Sequence, residues 1–205
     1  MFSAISIENR SIMEARTEQI KQHVLANSGQ ATCLSLGCGA RIWPGFVSVD
    51  KYYIHPQVQN YDMFKLPYEN ESVDLIFSSH SLEHLPIRHS IMAINEWGRV
   101  LKNHGELFLA IPDLKEIMKI MLRDDVAENM KLDWFMYTLF GYQADCNIGN
   151  PPLDTPIDPG QFHTSGFTDS TITKFLSQAG LTVTDIYTYE GYRTPSLWVE
   201  AKKIN

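Results

Sequence analysis

Cysteine is scarce in this sequence and shows no recognisable pattern. Only Cys33, Cys38 and Cys146 occur among 205 residues. An odd number, with two cysteines in or beside a predicted buried strand, does not fit a disulfide framework. No Cys-x-x-Cys pair or cysteine and histidine set has the spacing of a zinc site. The sequence therefore predicts neither a disulfide scaffold nor a metal site.

Long apolar runs and basic runs are also missing. No apolar stretch approaches the roughly 18 residues that span a bilayer. The N-terminal residues lack the basic region and apolar stretch of a secretory signal. We therefore expect a cytoplasmic protein without a membrane span. The formal net charge is −7, and no cluster of Lys and Arg is present, which argues against general nucleic-acid binding.

The composition is that of a soluble globular domain, with 44% apolar and 20% charged residues. We expect a single domain over residues 1–205. An N-terminal helix is predicted within residues 1–29, either docked on the sheet or covering a ligand site. Residues 141–166 are irregular and rich in glycine and proline, which is typical of a lid or a binding loop.

The most informative stretch is residues 33–50. Two apolar runs predict buried parallel strands, and the turn Gly37-Cys38-Gly39 follows the first while Asp50 ends the second. Ligands of open α/β sheets bind at the carboxyl ends of the strands. Glycine lets the backbone approach a ligand closely, and a carboxylate can accept hydrogen bonds from ribose hydroxyls. The pattern therefore indicates a nucleoside site.

The connector between these strands narrows the class of ligand. Between Gly39 and Phe46 there are too few residues for a full crossover helix. A dinucleotide needs a helix N-terminus after the glycine turn to hold its pyrophosphate. NAD and FAD are therefore disfavoured, and a nucleoside without phosphates is favoured.

The remaining pattern alternates strands with helices and predicts an α/β fold. The predicted elements are a third strand ending near Tyr61-Asp62, a strand at 72–77, a helix at 86–102 closed by Lys102 to Gly105, a strand at 106–111, helical residues 114–140, a helix at 168–179, and an antiparallel closing hairpin at 181–189 and 196–202.

Several motifs together resemble those of class I S-adenosylmethionine-dependent methyltransferases, and most closely the type 11-like branch. The motifs are LSLGCGA at 34–40, Asp50 at a strand tip, SSHSLEHL at 78–85, GRVLKNHGELFLAIPD at 98–113, and an H-x-x-x-F-T pattern from His163. The resemblance implies a Rossmann-like, seven-stranded, mostly parallel sheet with helices on both faces. It also implies S-adenosyl-L-methionine as the cofactor.

The resemblance also implies which residues hold the cofactor. Gly37 and Gly39 would lie against its methionine end, Asp50 at the ribose, Asp62 and Met63 at the adenine, and Ser79 on the far side of the methionine. Cys38 and Lys51, which adjoin these residues, are also expected to bind the cofactor. The sequence departs from the family at two positions. Ser35 stands where many relatives have a carboxylate, and Arg41 stands where many have a third glycine.

Candidate catalytic residues follow from the chemistry of methyl transfer. The protein must position the nucleophile, and it needs a general base only if the acceptor carries a proton. We hypothesise that His80 or His163 is the base or the acceptor anchor. The alternatives are that His80 packs beneath the cofactor and that His163 anchors a loop. Glu83, His84 and Asp113 are more readily explained as residues that begin or cap helices.

The expected function is methyl transfer to a small or medium acceptor, with an oxygen nucleophile on a sugar, glycolipid or metabolite favoured. The segment Asn150-Pro151-Pro152 is similar to an amine-methyltransferase motif, but it does not follow the fourth strand. One alternative is another group transferase on the same fold. A second is a non-catalytic regulatory protein that binds S-adenosylmethionine, and an acceptor side filled by residues 141–166 would favour it.

Overall fold

The computed structural model describes residues 7–125, 136–141, 159–190 and 194–204. Its helices are α1 (Ile7–Ala26), α2 (Ile87–Val100), α3 (Leu114–Met121) and α4 (Asp169–Gln178). Its strands are β1 (Cys33–Leu36), β2 (Val47–Val49), β3 (Val58–Gln59), β4 (Val73–Ser79), β5 (Leu101–Pro112), β6 (Leu181–Glu190) and β7 (Pro195–Lys203). Leu82–His84 and Pro159–Gln161 form 3₁₀ turns, and residues 136–140 are helical.

The strands form one seven-stranded sheet in the order β3-β2-β1-β4-β5-β7-β6. Strands β1 to β5 pair in parallel, whereas β7 lies antiparallel between β5 and β6. This topology confirms the fold expected from the sequence. Leu36 pairs with Val49 of β2 and with Ser78 of β4. The carboxyl ends of these three strands therefore finish side by side.

Both faces of the sheet are covered by helices. On one face, Trp97 of α2 and Leu176 of α4 are fully buried in the larger core cluster. On the other face, Ile20 and Val24 of α1 pack with Trp198 of β7 and its neighbours. Burying a large side chain contributes about 1.5–3 kcal/mol. These contacts fix the helices that border the strand tips.

Two predicted boundaries were wrong. The third strand is Val58–Gln59, and it ends before Tyr61-Asp62. Helix α2 ends at Val100, and Lys102 to Gly105 belong to β5 instead of closing the helix. Val73 pairs with Leu101 but Leu75 pairs with Glu106, so the intervening residues form an irregularity in the strand. His104 takes a φ of 63° there, a left-handed conformation that the ends of helices also use.

The C-terminal elements follow the predicted pattern closely. Thr168 caps α4 and forms a capping box with Thr171. Gly180 follows the helix with a φ of 76°, the conformation that favours glycine at a helix end. The predicted hairpin is confirmed by pairing from Leu181–Lys203 to Glu190–Pro195. Residues 142–158, which include Cys146 and Asn150 to Pro152, lie outside the described residues.

Candidate active site

The glycine turn after β1 presents bare backbone to a cavity. The amides of Gly37 and Cys38 donate to the Val49 carbonyl at 2.8 and 3.2 Å, which ties the turn to the end of β2. Gly37 has a φ of 65° and Gly39 a φ of 50°. A Cβ on Gly37 would overlap the side chain of Ser81, whereas a Cβ on Gly39 would meet nothing within 4 Å. Packing therefore requires Gly37, and Gly39 leaves open space beside the backbone.

Asp50 holds the loops around this turn. Its Oδ2 accepts from the Gly39 amide at 2.8 Å, and its Oδ1 accepts from the amides of Tyr52 and Tyr53 at 2.9 Å each. An ionised carboxylate offers about four acceptor positions. Three are used by the backbone, so Asp50 keeps about one position for a ligand hydroxyl.

The predicted adenine-side residues flank the same cavity. Lys51 Nζ lies 2.8 Å from Asp62 Oδ1, and this hydrogen bond raises the pKa of Lys51. Trp97 Nε1 donates to the Met63 carbonyl at 3.1 Å. The Met63 side chain lies beside Gly37. The segment after β3 is therefore anchored to both β2 and α2.

Cys38 is held in the turn as a neutral thiol. Its Sγ lies 3.3 Å from the Gly39 carbonyl oxygen. Burial first, and the charge of Asp50 second, raise the pKa of Cys38 to about 11. The residue therefore packs the turn and is not a reactive thiolate.

All the candidate residues border one cavity of about 1630 Å³. It is lined by Gly37, Cys38, Gly39, Asp50, Lys51, Asp62, Met63, Ser79, His80 and His163. Small-molecule sites usually occupy roughly 300–1,000 Å³, so this cavity has room for two ligands. Thr17, Glu18 and Lys21 of α1 also line it, which places the N-terminal helix at its border.

A cluster of histidines surrounds a buried carboxylate on the other side of this cavity. The Glu83 side chain is 1% exposed. Its Oε1 lies 3.3 Å from His80 Nδ1 and 3.9 Å from His163 Nε2. The rings of His84 and His163 meet edge to face at 4.9 Å. Burial raises the pKa of Glu83, but the histidines, His80 foremost, outweigh it and hold that pKa below its ordinary value.

The two predicted catalytic histidines differ in their surroundings. His80 follows β4 with a φ of 50°, and its Nε2 lies 3.3 Å from Ser196 Oγ. Both of its ring nitrogens therefore face protein groups. His163 Nδ1 lies 2.9 Å from the Thr138 carbonyl oxygen. Burial lowers the pKa of His163 more than Glu83 raises it, so this ring is mainly neutral near pH 7.

Comparison with known proteins supports the interpretation of this cavity. Residues 23–109 match the methyltransferase domain family. None of the curated proteins matches the chain. A S-adenosylmethionine-dependent methyltransferase structure from Methanosarcina mazei superimposes with a TM-score of 0.58 at 16% identity, covering 88% of this chain and 97% of that one. Residues 23–109 therefore match a methyltransferase domain, and the chain has the fold of S-adenosylmethionine-dependent methyltransferases.

Two further solved structures share the fold of this methyltransferase. Magnesium protoporphyrin IX methyltransferase from Synechocystis, with bound S-adenosylhomocysteine, has a TM-score of 0.56 at 11% identity and covers 99% of this chain and 89% of its own. The N1-methyltransferase for 1,6-didemethyltoxoflavin from Burkholderia thailandensis has a TM-score of 0.55 at 14% identity, covering 96% and 84%. S-adenosylmethionine is the cofactor of the present methyltransferase.

The geometry of the methyltransferase cavity fits this cofactor. Gly39 lacks a side chain where a Cβ would enter open space, and Asp50 keeps an acceptor position for a ribose hydroxyl. No helix forms over residues 40–46. The connector therefore does not supply the phosphate site that a dinucleotide would need.

The three residues predicted to begin or cap helices, Asp113, Glu83 and His84, lie in different surroundings. Asp113 accepts from the amides of Lys115 and Glu116 at 3.0 and 3.2 Å and thereby caps α3. Its other oxygen accepts a hydrogen bond from Thr188 Oγ1 at 2.6 Å. These contacts agree with the predicted capping role of Asp113. Glu83 and His84 lie in a 3₁₀ turn before α2. Sequence spacing gave no signal that these two residues meet His163.

Among the described residues, no helix combines the length and the apolar character that crossing a bilayer requires.

Proposed function

We propose that this methyltransferase transfers a methyl group to an oxygen atom of a small or medium acceptor, such as a sugar, a glycolipid or a metabolite. The observation that carries the proposal is the shared cavity. One side is formed by the strand tips with the glycine turn and Asp50, and the other by the cluster around Glu83. A cofactor and a polar acceptor can therefore lie side by side in it.

The same cavity favours catalysis over a purely regulatory role. Buried polar groups reach it from the turn after β4 and from His163. A polar compartment beside the cofactor residues supports catalysis, because polar groups there can hold and orient an acceptor. Among the described residues of the 141–166 segment, Gly160, Gln161 and His163 line the cavity. This placement supports a single domain in which that segment is an acceptor loop or lid.

We assign the cofactor contacts as the family resemblance implies. Gly37 and Gly39 approach the methionine end, Asp50 the ribose, Asp62 and Met63 the adenine, and Ser79 the far side of the methionine, with Cys38 and Lys51 as adjoining contacts. In support, Asp50 retains an acceptor position and Gly39 leaves its backbone bare. Cytoplasmic location stays a prediction from the sequence.

When bound, the cofactor supplies an activated methyl group, whose transfer forms a carbon–oxygen bond, leaves the sulfur with its electron pair and releases the acceptor proton. The protein must hold the acceptor oxygen in line and exclude water. His163 Nε2 faces Glu83 and lies within the cavity wall, so it can anchor an acceptor hydroxyl or receive its proton. His80 can do so only after giving up its contact with Ser196.

The test is release of S-adenosylhomocysteine from a panel of matched hydroxyl and amine acceptors. We expect turnover with hydroxyl acceptors, and a fall in kcat of at least about 100-fold in His163→Ala if the residue transfers a proton. His80→Ala tests the second candidate. His23→Ala is the matched control, since His23 is exposed on α1. Binding of S-adenosylhomocysteine, measured by calorimetry, should be unchanged in all three variants.

Three results would contradict parts of the proposal. Near-normal rates in both His80→Ala and His163→Ala would remove these histidines from the reaction. Methylation restricted to the amine acceptors would overturn the oxygen preference. Tight cofactor binding without transfer to any acceptor would support the regulatory alternative.

A further inference from the structure

Glu83, His84 and His163 form a compact set of metal-type donors, which we call the Glu-His-His cluster. Each residue offers one ligand atom, and these atoms all lie within 4.8 Å of one another. The cluster faces the same cavity as the cofactor residues. No pattern in the primary sequence indicated it, because its members come from segments that only the fold brings together.

The backbone assembles the cluster before any ligand arrives. The amides of Thr164 and Ser165 both donate to the Glu83 carbonyl, at 2.8 and 3.1 Å. Thr164 Oγ1 donates to the His84 carbonyl at 2.9 Å. The loop that carries His163 is therefore fastened directly to the turn that carries the other two residues.

The orientation of both imidazole rings is fixed in the way that metal ligands require. His84 Nδ1 lies 3.1 Å from the Phe162 carbonyl oxygen, and His163 Nδ1 lies 2.9 Å from the Thr138 carbonyl oxygen. A carbonyl oxygen only accepts hydrogen bonds, so each Nδ1 carries the proton. In a neutral ring with this tautomer, Nε2 presents a lone pair. Backbone carbonyls commonly orient metal-binding histidines in this manner.

The Glu83 carboxylate supplies an independent indication of a ligand. Both of its oxygens are buried, and neither has a well-formed hydrogen bond among the described residues. His80 Nδ1 lies 3.3 Å from Oε1, a contact that becomes an ion pair only when the ring is protonated. His163 Nε2 lies 3.9 Å from the same oxygen, so two acceptor atoms face each other. A buried carboxylate favours a positive charge nearby, and a cation between these two atoms would supply one.

We propose that Glu83, His84 and His163 bind one divalent transition-metal ion of the Zn²⁺ type. Two imidazole nitrogens and one carboxylate are the protein ligands of several catalytic zinc sites, which keep one position open. Mg²⁺ and Ca²⁺ prefer sets made of oxygen alone. Metal–ligand bonds of roughly 2.0–2.2 Å require the donors to move together by about an ångström.

The open position suggests what the metal does, and this step rests on the proposed methyl transfer to oxygen. A metal at the cluster would bind the acceptor oxygen and lower the pKa of its hydroxyl. His163 would then anchor the acceptor through the metal and would not take its proton. The acceptor class is thereby narrowed to molecules whose reacting hydroxyl can bind a metal.

The experiment uses the whole protein after dialysis against a chelator. Zn²⁺ alone is titrated in a calorimeter, and Co²⁺ is titrated in parallel to record its visible absorption spectrum. We expect one ion per chain and a Co²⁺ spectrum of nitrogen and oxygen coordination. Glu83→Gln and His163→Gln should each weaken binding at least about 100-fold, since even loss of an outer-shell partner can cost that much. His23→Gln, on exposed α1, should bind as the wild type does.

Failure of this proposal is distinct from failure of the proposed function. Absence of Zn²⁺ and Co²⁺ binding to folded protein, or equal affinity in His163→Gln and the wild type, overturns the metal site even if hydroxyl acceptors are methylated. Loss of binding in His23→Gln also overturns it. If one cluster variant does not fold, the other decides. Metal binding without methylation of any hydroxyl supports the site and rejects only the oxygen acceptor.

Discussion

Gly39 offers a direct test of where the cofactor lies, because its replacement by alanine has two separable effects. Gly39 has a φ of 50°, a conformation that costs alanine roughly 1–2 kcal/mol. The added Cβ would meet no protein atom within 4 Å, so no packing clash adds to this cost. In a domain of this size, 1 kcal/mol lowers Tm by about 2–4 °C. We therefore expect Tm to fall by about 2–8 °C.

The second effect is on the cofactor. The new methyl group would occupy the open space beside the turn, where the cofactor's methionine end should approach the backbone. We expect the affinity for S-adenosylhomocysteine to fall at least about tenfold, which corresponds to about 1.4 kcal/mol. Calorimetry with S-adenosylhomocysteine measures this loss directly, well below the Tm of the variant.

Gly180 supplies a matched control. It has a φ of 76°, and a Cβ there would also meet nothing within 4 Å, but it lies at the end of α4. Gly180→Ala should show the same fall in Tm with unchanged cofactor affinity. The reasoning is refuted if Gly39→Ala binds S-adenosylhomocysteine within about twofold of the wild type. It is equally refuted if Gly180→Ala weakens binding as much.

Two further predictions concern the segment around α2. Burial raises the pKa of Glu96, but hydrogen bonds from Arg99 and the Leu66 amide outweigh it and lower that pKa from 4.5. Glu96 therefore stabilises the fold above about pH 4.5, and this stabilisation is lost as pH falls through the lower folded-state value. In urea unfolding at several pH values, the free energy of unfolding should fall less steeply with decreasing pH in Glu96→Gln than in the exposed control Glu69→Gln. The same dependence on pH in both variants would contradict this. Trp97→Phe removes the hydrogen bond to the Met63 carbonyl and should cost about 1–3 kcal/mol in the same assay, with weaker S-adenosylhomocysteine binding because Met63 lines the cavity. Unchanged stability would show that this bond contributes nothing net.

The side of the cavity formed by the strand tips could be predicted because its signals are local. The glycine turn and Asp50 each follow directly after an apolar strand, and parallel strands bring such tips together. The third strand was misplaced because Val58–Gln59 has only two residues, too short for a period of two to show. The closing segment of α2 was misread because Asn103-His104-Gly105 is equally suited to a helix end and to an irregular strand.

The side of the cavity around Glu83 could not be assembled from the sequence. Glu83 and His84 were interpreted as helix-start residues, which agrees with their 3₁₀ turn but omits their neighbours. Their proximity to His163 depends on hydrogen bonds from Thr164 and Ser165 to the Glu83 carbonyl. Such backbone contacts between distant segments leave no pattern of residue types. Only the resemblance indicated that His163 has a defined place.

The close approach of the backbone at Gly141 to the segment around Phe162 has a consequence for the design of variants. Gly141 pairs with Phe162, and the His163 amide donates to the Phe140 carbonyl at 3.0 Å. A Cβ on Gly141 would overlap the Gln161 carbonyl, so only glycine permits this approach. The two ends of the intervening segment are thereby clamped together independently of its sequence. Any variant in this part of the chain should therefore retain Gly141, because this closure helps to hold His163 beside Glu83.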